Sequence, residues 1–524
     1  MSETVSIRTL GELPAYYAGR QPGKIALSFE GRDTSFGQFE IHSSQVANGL
    51  IAMGLQADDR IAYLGKNSDW YFELIFGAFK SGVVVAPVGW RLAEPEVAFI
   101  LEHSEAKALF VEPEFLDLAQ SLVARLAPER VVLMRAGGEG HVLFDAWRDA
   151  QSTKAPKLVP QPSDTAMQIY TSGTTGRPKG AMLTHYNFIR MRELLAAQNS
   201  PASRYLPDDI ALLAMPVSHV GGTSTGIWAL YHGIKSVVAR QFDPDDVLGY
   251  IQNERVNNFF LVPSALQRIV RDPRARSTDF SRLRYILYGG SPMPPQLLAE
   301  CIDVFKCGFA QGYGSTETCA TIIQLPPEDH IPGSPRLRSC GKPLPGVEIA
   351  IRDAEGNDLP VGAVGEIVTR SSGNMAGYWR DPEATARTID AEGWLRTGDA
   401  GYLDADGYLY IHDRVKDMIV SGGENIYPAE VENAIFGHPA VAEVAVIGVP
   451  SDRWGEEVKA VVALRPGMTA TEQEIIAWAR SNIAAFKAPK SVDFIDALPK
   501  SGASKILRRA LRAPYWAGRE RQVN

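Results

Sequence analysis

Residues 170–180 read Tyr-Thr-Ser-Gly-Thr-Thr-Gly-Arg-Pro-Lys-Gly. Gly173, Gly176 and Gly180 let a backbone approach a phosphate closely, while Thr171, Ser172, Thr174, Thr175 and Lys179 offer donors to its oxygens. The stretch fits a polyphosphate cradle. Its order differs from the Walker loop, in which four residues separate the first glycine from a Gly-Lys-Ser/Thr run, so an ordinary P-loop NTPase is not supported. A solvated Gly/Ser/Thr turn is the plain alternative.

Further stretches downstream carry groups of complementary chemistry. In residues 311–317, Gln-Gly-Tyr-Gly-Ser-Thr-Glu, the Tyr313 ring suits stacking on a base, and Thr316 and Glu317 suit an α-phosphate and a Mg²⁺ ion. Asp399, in Arg396-Thr397-Gly398-Asp399, offers two acceptor oxygens to the adjacent hydroxyls of a ribose. Small residues at Gly289, Gly290 and Ser291 let a flat base lie against the main chain. Arg414 is permanently charged. Lys505 stands in a basic run with Lys500, Arg508, Arg509 and Arg512, which by itself also reads as a solvated tail. Each of the others, taken alone, also reads as an ordinary turn or surface ion pair.

Taken together, residues 170–180, 289–293, 311–317, 396–399 and 413–417 continuing into 421–425 resemble, in order, the motifs of the adenylate-forming superfamily. That superfamily holds acyl-CoA synthetases, luciferases and nonribosomal-peptide adenylation domains. The resemblance covers nearly the whole chain. It implies an ATP/AMP site made of Thr171, Ser172, Gly173, Thr174, Thr175, Gly176, Lys179, Gly289, Gly290, Ser291, Gln311, Gly312, Tyr313, Gly314, Asp399 and Arg414. It makes Lys505, Glu317 and Thr316 the catalytic residues, with Glu317 and Thr174 on Mg²⁺. Lys505 would bridge the attacking carboxylate and the α-phosphate; the family usually has glycine just before this lysine, where the chain has Ser504. Lys416 would be a hinge, and Ser421, Gly422 and Gly423 would face coenzyme A.

Within the superfamily the acyl-CoA branch fits best. A peptide-synthetase module would usually continue into a carrier domain, whereas this sequence ends about twenty residues after Lys505, so aminoacyl adenylation is not the expectation. Residues 216–228 contain no acid to meet a substrate ammonium, and His219, Gly221, Gly222 and Gly226, with Gly290, are the expected lining of an acyl pocket. The same glycines also fit tight helix packing. A thiol acceptor supplied by coenzyme A needs no catalytic cysteine. The expected activity is conversion of a carboxylic acid, of the medium- or long-chain fatty type, to acyl-CoA through acyl-AMP, with release of AMP and pyrophosphate. An aromatic or polycyclic acid, luciferase-like oxygenation and a nonenzymatic nucleotide-binding regulator are the alternatives.

These groups need a frame to position them. Between residues 45 and 111, strand-like runs at 60–64, 83–88 and 108–111 alternate with helix-like runs such as 70–80, and Asn67, Ser68 and Asp69 stand where short polar side chains cap a helix. The alternation recurs at 210–215, 235–239, 258–262 and 284–288. From about residue 339 to 412 the texture becomes short β runs punctuated by glycine. The expected fold is α/β: a large N-terminal adenylation domain, residues 1–413, of layered α/β subdomains and a small β subdomain, then a small mobile α+β C-terminal domain, residues 414–524.

At 524 residues the chain exceeds the size of one hydrophobic core. With a net charge of −8 there is no global basic field for a nucleic-acid backbone or an anionic membrane. Cys301, Cys307, Cys319 and Cys340 match no zinc spacing and read as buried free thiols of a reducing compartment. The N-terminus has no basic segment followed by an apolar run, no apolar stretch is long enough to span a bilayer, and the final Arg-Gln-Val-Asn is no peroxisomal address. A cytoplasmic enzyme of small-molecule substrates fits these features; peripheral membrane contact and oligomer formation stay open.

Overall fold

The computed structural model describes residues 6–137, 140–171, 178–198, 200–291, 293–414, 417–421, 424–451, 454–500 and 506–517. Among these residues the backbone forms four sheets. One has nine strands in the spatial order Lys342–Pro343, Ala320–Leu325, Gly308–Ser315, Tyr285–Gly289, Asn258–Leu261, Ile210–Leu213, Lys235–Val238, Ile25–Phe29, Arg32–Ser35. A second has eight, ordered Gly377–Tyr378, Lys179–Thr184, Thr165–Thr171, Val84–Val88, Arg60–Leu64, Ala108–Val111, Val131–Leu133, Val142–Leu143. Their inner strands pair in parallel. Parallel strands are covered on both faces, which is why Arg60–Leu64 and Val84–Val88 are buried at every position and, Arg60 apart, are apolar throughout.

Helix Asp69–Ser81 begins on Ser68, whose hydroxyl accepts from Tyr71 N at 3.1 Å, and is buried around nearly its whole circumference. Asn67, just before it, ties the two large sheets together. Its amide donates to Met215 O at 3.1 Å and Ala239 O at 3.0 Å, and its oxygen accepts from Val217 N at 3.0 Å. Three backbone polar groups, in the segments at 215–217 and 239, are thus satisfied by one buried side chain.

A small antiparallel sheet of Glu348–Arg352, Gly365–Arg370, Leu395–Leu403 and Leu409–Arg414 follows. Its last strand ends where the sequence suggests a division. The fourth sheet, of Glu424–Ile426, Ile419–Ser421, Gly455–Leu464, Val441–Ser451 and the parallel strand Ser491–Phe494, belongs to a small C-terminal unit. The architecture is therefore α/β, with a large N-terminal and a small C-terminal part. No helix among the described residues is long and apolar enough to cross a membrane. All four cysteines are unbonded; burial pushes the Cys307, Cys319 and Cys340 thiols up to about 12 and Cys301 in the same direction.

Candidate active site

The centre of the site is a turn. Strand Gly308–Ser315 leaves the nine-stranded sheet, reverses, and returns antiparallel as Ala320–Leu325. The reversal is held by Thr318, whose hydroxyl accepts from Ser315 N at 2.9 Å, and by Cys319 N donating to Thr316 O at 3.0 Å. It is so tight that a Cβ on Gly314 would lie 1.6 Å from Ala320 O, which restricts this position to glycine. Thr316 and Glu317 stand at the half-buried tip.

Three segments converge on Glu317. Its Oε1 accepts from the Tyr378 hydroxyl at 2.9 Å and from Thr171 Oγ1 at 3.3 Å, and its backbone oxygen accepts from Met375 N at 2.8 Å. Thr171 ends strand Thr165–Thr171, and its register partner is Lys179, the first residue of Lys179–Thr184. The Lys179 ammonium lies 5.1 Å from the centroid of the Tyr378 ring. Both ends of the 170–180 segment are therefore anchored beside the Glu317 carboxylate. Of that segment, Ser172, Gly173, Thr174, Thr175 and Gly176 lie outside the described residues, as do Lys416, Gly422, Gly423 and Lys505.

On the same strand as the turn, Tyr313 donates its hydroxyl to Asp399 Oδ2 at 2.8 Å. Burial, reinforced by the neighbouring carboxylate, pushes the Tyr313 phenol well above its ordinary value, so it remains a neutral donor. Asp399 N is fixed by Thr397 Oγ1 at 3.1 Å, and in the strand pairing Asp399 stands opposite Arg414. Gly289 pairs with Gly312 and Tyr288 with Gln311 in parallel register, which brings Gly289, Gly290 and Ser291 alongside residues 311–314. Gln311 Oε1 accepts from Tyr288 at 3.4 Å. Ser421 lies elsewhere, in the C-terminal sheet, paired with Glu424 and Gly455.

The expected acyl-pocket residues fall into two groups. His219 precedes helix Val220–Tyr231 and Gly221 is its second residue; both are half-buried, and Gly290 is exposed. Gly222 and Gly226 face inward. A Cβ on Gly222 would lie 2.2 Å from Pro216 O, and one on Gly226 would lie 2.3 Å from the Phe72 ring. Close packing, the other reading that the sequence leaves open, accounts for both of these glycines.

Tyr378 is the functional candidate that sequence reasoning missed. It stands 61 positions from Glu317 in a Gly-Tyr-Trp stretch with no signal of its own, and only the pairing of Gly377–Tyr378 with Lys179–Thr184 brings it in. No cluster of three His, Cys, Asp or Glu side chains that could cage a metal is present among the described residues. A Mg²⁺ ion carried on nucleotide phosphates needs few protein ligands, and a carboxylate with a neighbouring hydroxyl is the hard-oxygen set it takes. Glu317 and Thr171 fit that requirement.

Residues 15–379 match the family model described as AMP-binding enzyme, and residues 430–505 match that of the AMP-binding enzyme C-terminal domain. The chain is 40% identical over 519 residues to a fatty acid–[acyl-carrier-protein] ligase, ScoC, of Streptomyces coeruleorubidus, covering 99% of this chain and 98% of the relative. It is 38% identical over 507 residues to a feruloyl-CoA synthase of an Amycolatopsis species, covering 97% and 99%. The ATP-bound crystal structure of MatB from Rhodopseudomonas palustris superimposes with a TM-score of 0.87 at 30% identity, covering 97% of this chain and 99% of that one.

Proposed function

The chain belongs to the AMP-binding enzyme family, and from that premise we propose that it activates a medium- or long-chain fatty acid as its acyl-adenylate and transfers the acyl group to coenzyme A. It is an AMP-forming acid–thiol ligase. The observation that carries the proposal is the convergence of Thr171 and Tyr378 on one oxygen of Glu317, with Lys179 paired to Thr171 and beside the Tyr378 ring.

A carboxylate is a poor acyl donor because its leaving group is poor; forming a mixed anhydride with AMP makes thiol attack feasible. In this reading the substrate carboxylate attacks the α-phosphate and pyrophosphate leaves. Lys179 and the hydroxyls of residues 171–175 hold the phosphates. Asp399 takes the ribose hydroxyls, and Tyr313 holds Asp399 in place and flanks the base. Thr171 and Tyr378 fix one oxygen of Glu317, the carboxylate that would hold Mg²⁺. When bound, that ion offsets the negative charge gathering on the phosphates. Lys505 bridges carboxylate and α-phosphate in this step. Residues 414–524 then rotate about Lys416 to bring Ser421, Gly422 and Gly423 to the thiol. The acyl tail lies past His219 and Gly221 along helix Val220–Tyr231.

Two features of the relatives favour neighbouring readings. The Streptomyces ligase is named for an acyl carrier protein, so a carrier-bound thiol is the second candidate acceptor, and the Amycolatopsis synthase is named for an aryl acid. A pyrophosphate-release screen over fatty, aryl and alicyclic acids, run with coenzyme A or with a thiolated carrier protein, tests all three. Acid-dependent AMP formation with acyl-CoA as product, best with fatty acids, is expected. ADP as the product would overturn the proposal.

A further inference from the structure

Arg192 lies on helix His185–Ala197 and is 2% exposed. Its guanidinium stacks on the Trp228 ring, 2.9 Å from the centroid, but neither Nε nor Nη2 has a hydrogen-bond partner among the described residues. An arginine keeps its charge in any protein environment, and a buried charge demands a counter-charge. Among the described residues the groups that interact with it electrostatically are Tyr205, Cys319, Tyr231 and His232, none of them a carboxylate. Burial accordingly pulls the guanidinium well below its ordinary value.

The place is as informative as the charge. Gly221, Ser224, Thr225 and Trp228 follow the i, i+3, i+4, i+7 spacing and share one face of helix Val220–Tyr231. That face passes from half-buried at Gly221 to fully buried residues, and it ends at Trp228, under Arg192. Ser224 Oγ, one turn before Trp228, likewise has no hydrogen-bond partner among the described residues. Cys319, whose thiol feels the Arg192 charge, belongs to the turn that carries Thr316 and Glu317. Arg192 therefore sits between the helix expected to guide the acyl tail and the back of the adenylation turn.

We infer that Arg192 is a specificity residue for the far end of the acid, and that the fatty acid of the proposed function is a dicarboxylate: one carboxylate is activated and the other meets the Arg192 guanidinium above Trp228, with Ser224 as a second donor. The inference rests on the proposed function for the position of the reacting carboxylate. Seven residues of helix from Gly221 to Trp228 span about 10 Å, the reach of a chain of about eight carbons. A planar guanidinium matches a carboxylate through paired N–H donors, which an uncharged chain end cannot use.

The test compares octanedioate and decanedioate with octanoate, decanoate and the monomethyl ester of octanedioate, in wild type and in Arg192→Met. Wild type should show kcat/KM for a dicarboxylate at least tenfold above that for the monoacid and the ester of equal length, and Arg192→Met should reverse the order. Isothermal titration of the same acids into the wild-type enzyme reads the pocket without turnover and without any variant. Binding of the dianion in preference to the monoacid supports the inference even if no acid is adenylated, an outcome that would count against the proposed activity alone. Equal binding, preference for the monoacid or no binding of any acid overturns it.

Discussion

The Tyr378 hydroxyl donates to the same oxygen of Glu317 that Thr171 approaches, at 2.9 Å and 3.3 Å respectively. One oxygen of the carboxylate is thereby engaged by protein from two sides. A hydrogen bond to a charged group contributes about 1.5–3 kcal/mol. Tyr378→Phe should lower the adenylation rate about tenfold and raise the Mg²⁺ concentration needed for half-maximal rate, without loss of fold. Glu317→Gln should cost more, because it removes the charge itself. Pyrophosphate release over a Mg²⁺ titration measures both, and an unchanged Mg²⁺ requirement in both variants would reassign the carboxylate.

Tyr313 and Asp399 form a second pair, at 2.8 Å. Tyr313→Phe keeps the ring and deletes the donor, leaving Asp399 less firmly placed. The KM for ATP should rise about three- to tenfold, within the about 0.5–1.5 kcal/mol that a typical hydrogen bond contributes net, while the maximal rate changes little. Equal losses in both constants would place Tyr313 in the chemical step instead.

The glycines of helix Val220–Tyr231 should separate by position. Gly222→Ala drives a methyl into a backbone oxygen 2.2 Å away, and Gly226→Ala drives one into the Phe72 ring at 2.3 Å. Overpacking of this kind costs about 1–3 kcal/mol. Both variants should unfold at lower denaturant and lose activity equally for every acid. A methyl on Gly221 meets only the edge of the Phe260 ring, at 3.0 Å, from a half-buried position. Gly221→Ala should keep its stability and shift the order of preferred acids. A substrate-selective effect at Gly222 with unchanged stability would contradict this division.

Stability should fall in mild acid. Burial holds the His185 imidazole down at about 3, and its Nδ1 accepts from Leu10 N at 3.3 Å. An unfolded histidine titrates near 6.5. The folded-state value is the lower one, so the unfolded chain takes up the proton first. The contribution is complete above about pH 6.5 and is lost as pH falls from there towards 3, by about 2 kcal/mol between pH 7 and 5. His232, also held at about 3, acts in the same direction; Asp69 and Glu112, held up by burial, act oppositely. Urea unfolding at pH 7 and 5 in wild type and His185→Gln measures the slope, which should flatten in the variant. An identical slope in both would assign the acid sensitivity to other groups.

Much of this architecture was legible in the sequence because the signals are local. The run at 60–64 emerges as strand Arg60–Leu64, that at 108–111 as Ala108–Val111, and Ser68 caps the helix it precedes. Ends shift by a residue or two where a strand closes, as at Val84–Val88. The site was legible only as motifs. What joins them is non-local: Tyr378 reaches Glu317 across 61 positions, and Tyr313 reaches Asp399 across 86. The helix glycines show the same limit from the other side. Gly221, Gly222 and Gly226 are one residue type in one short stretch, and only the atoms opposite each one separate a half-buried site from a packing contact.

The state of the four cysteines has a practical side. Disulfide reagents react with thiolate, and thiols raised to about 12 by burial present almost none at neutral pH. The folded enzyme should therefore be colourless to an aromatic disulfide such as Ellman's reagent, leaving coenzyme A as the thiol that reagent reads. Acyl transfer can then be followed in timed aliquots, each yielding less colour as coenzyme A is consumed. The same silence makes the cysteines an internal alarm: protein-borne colour in the assay would report molecules that have come apart.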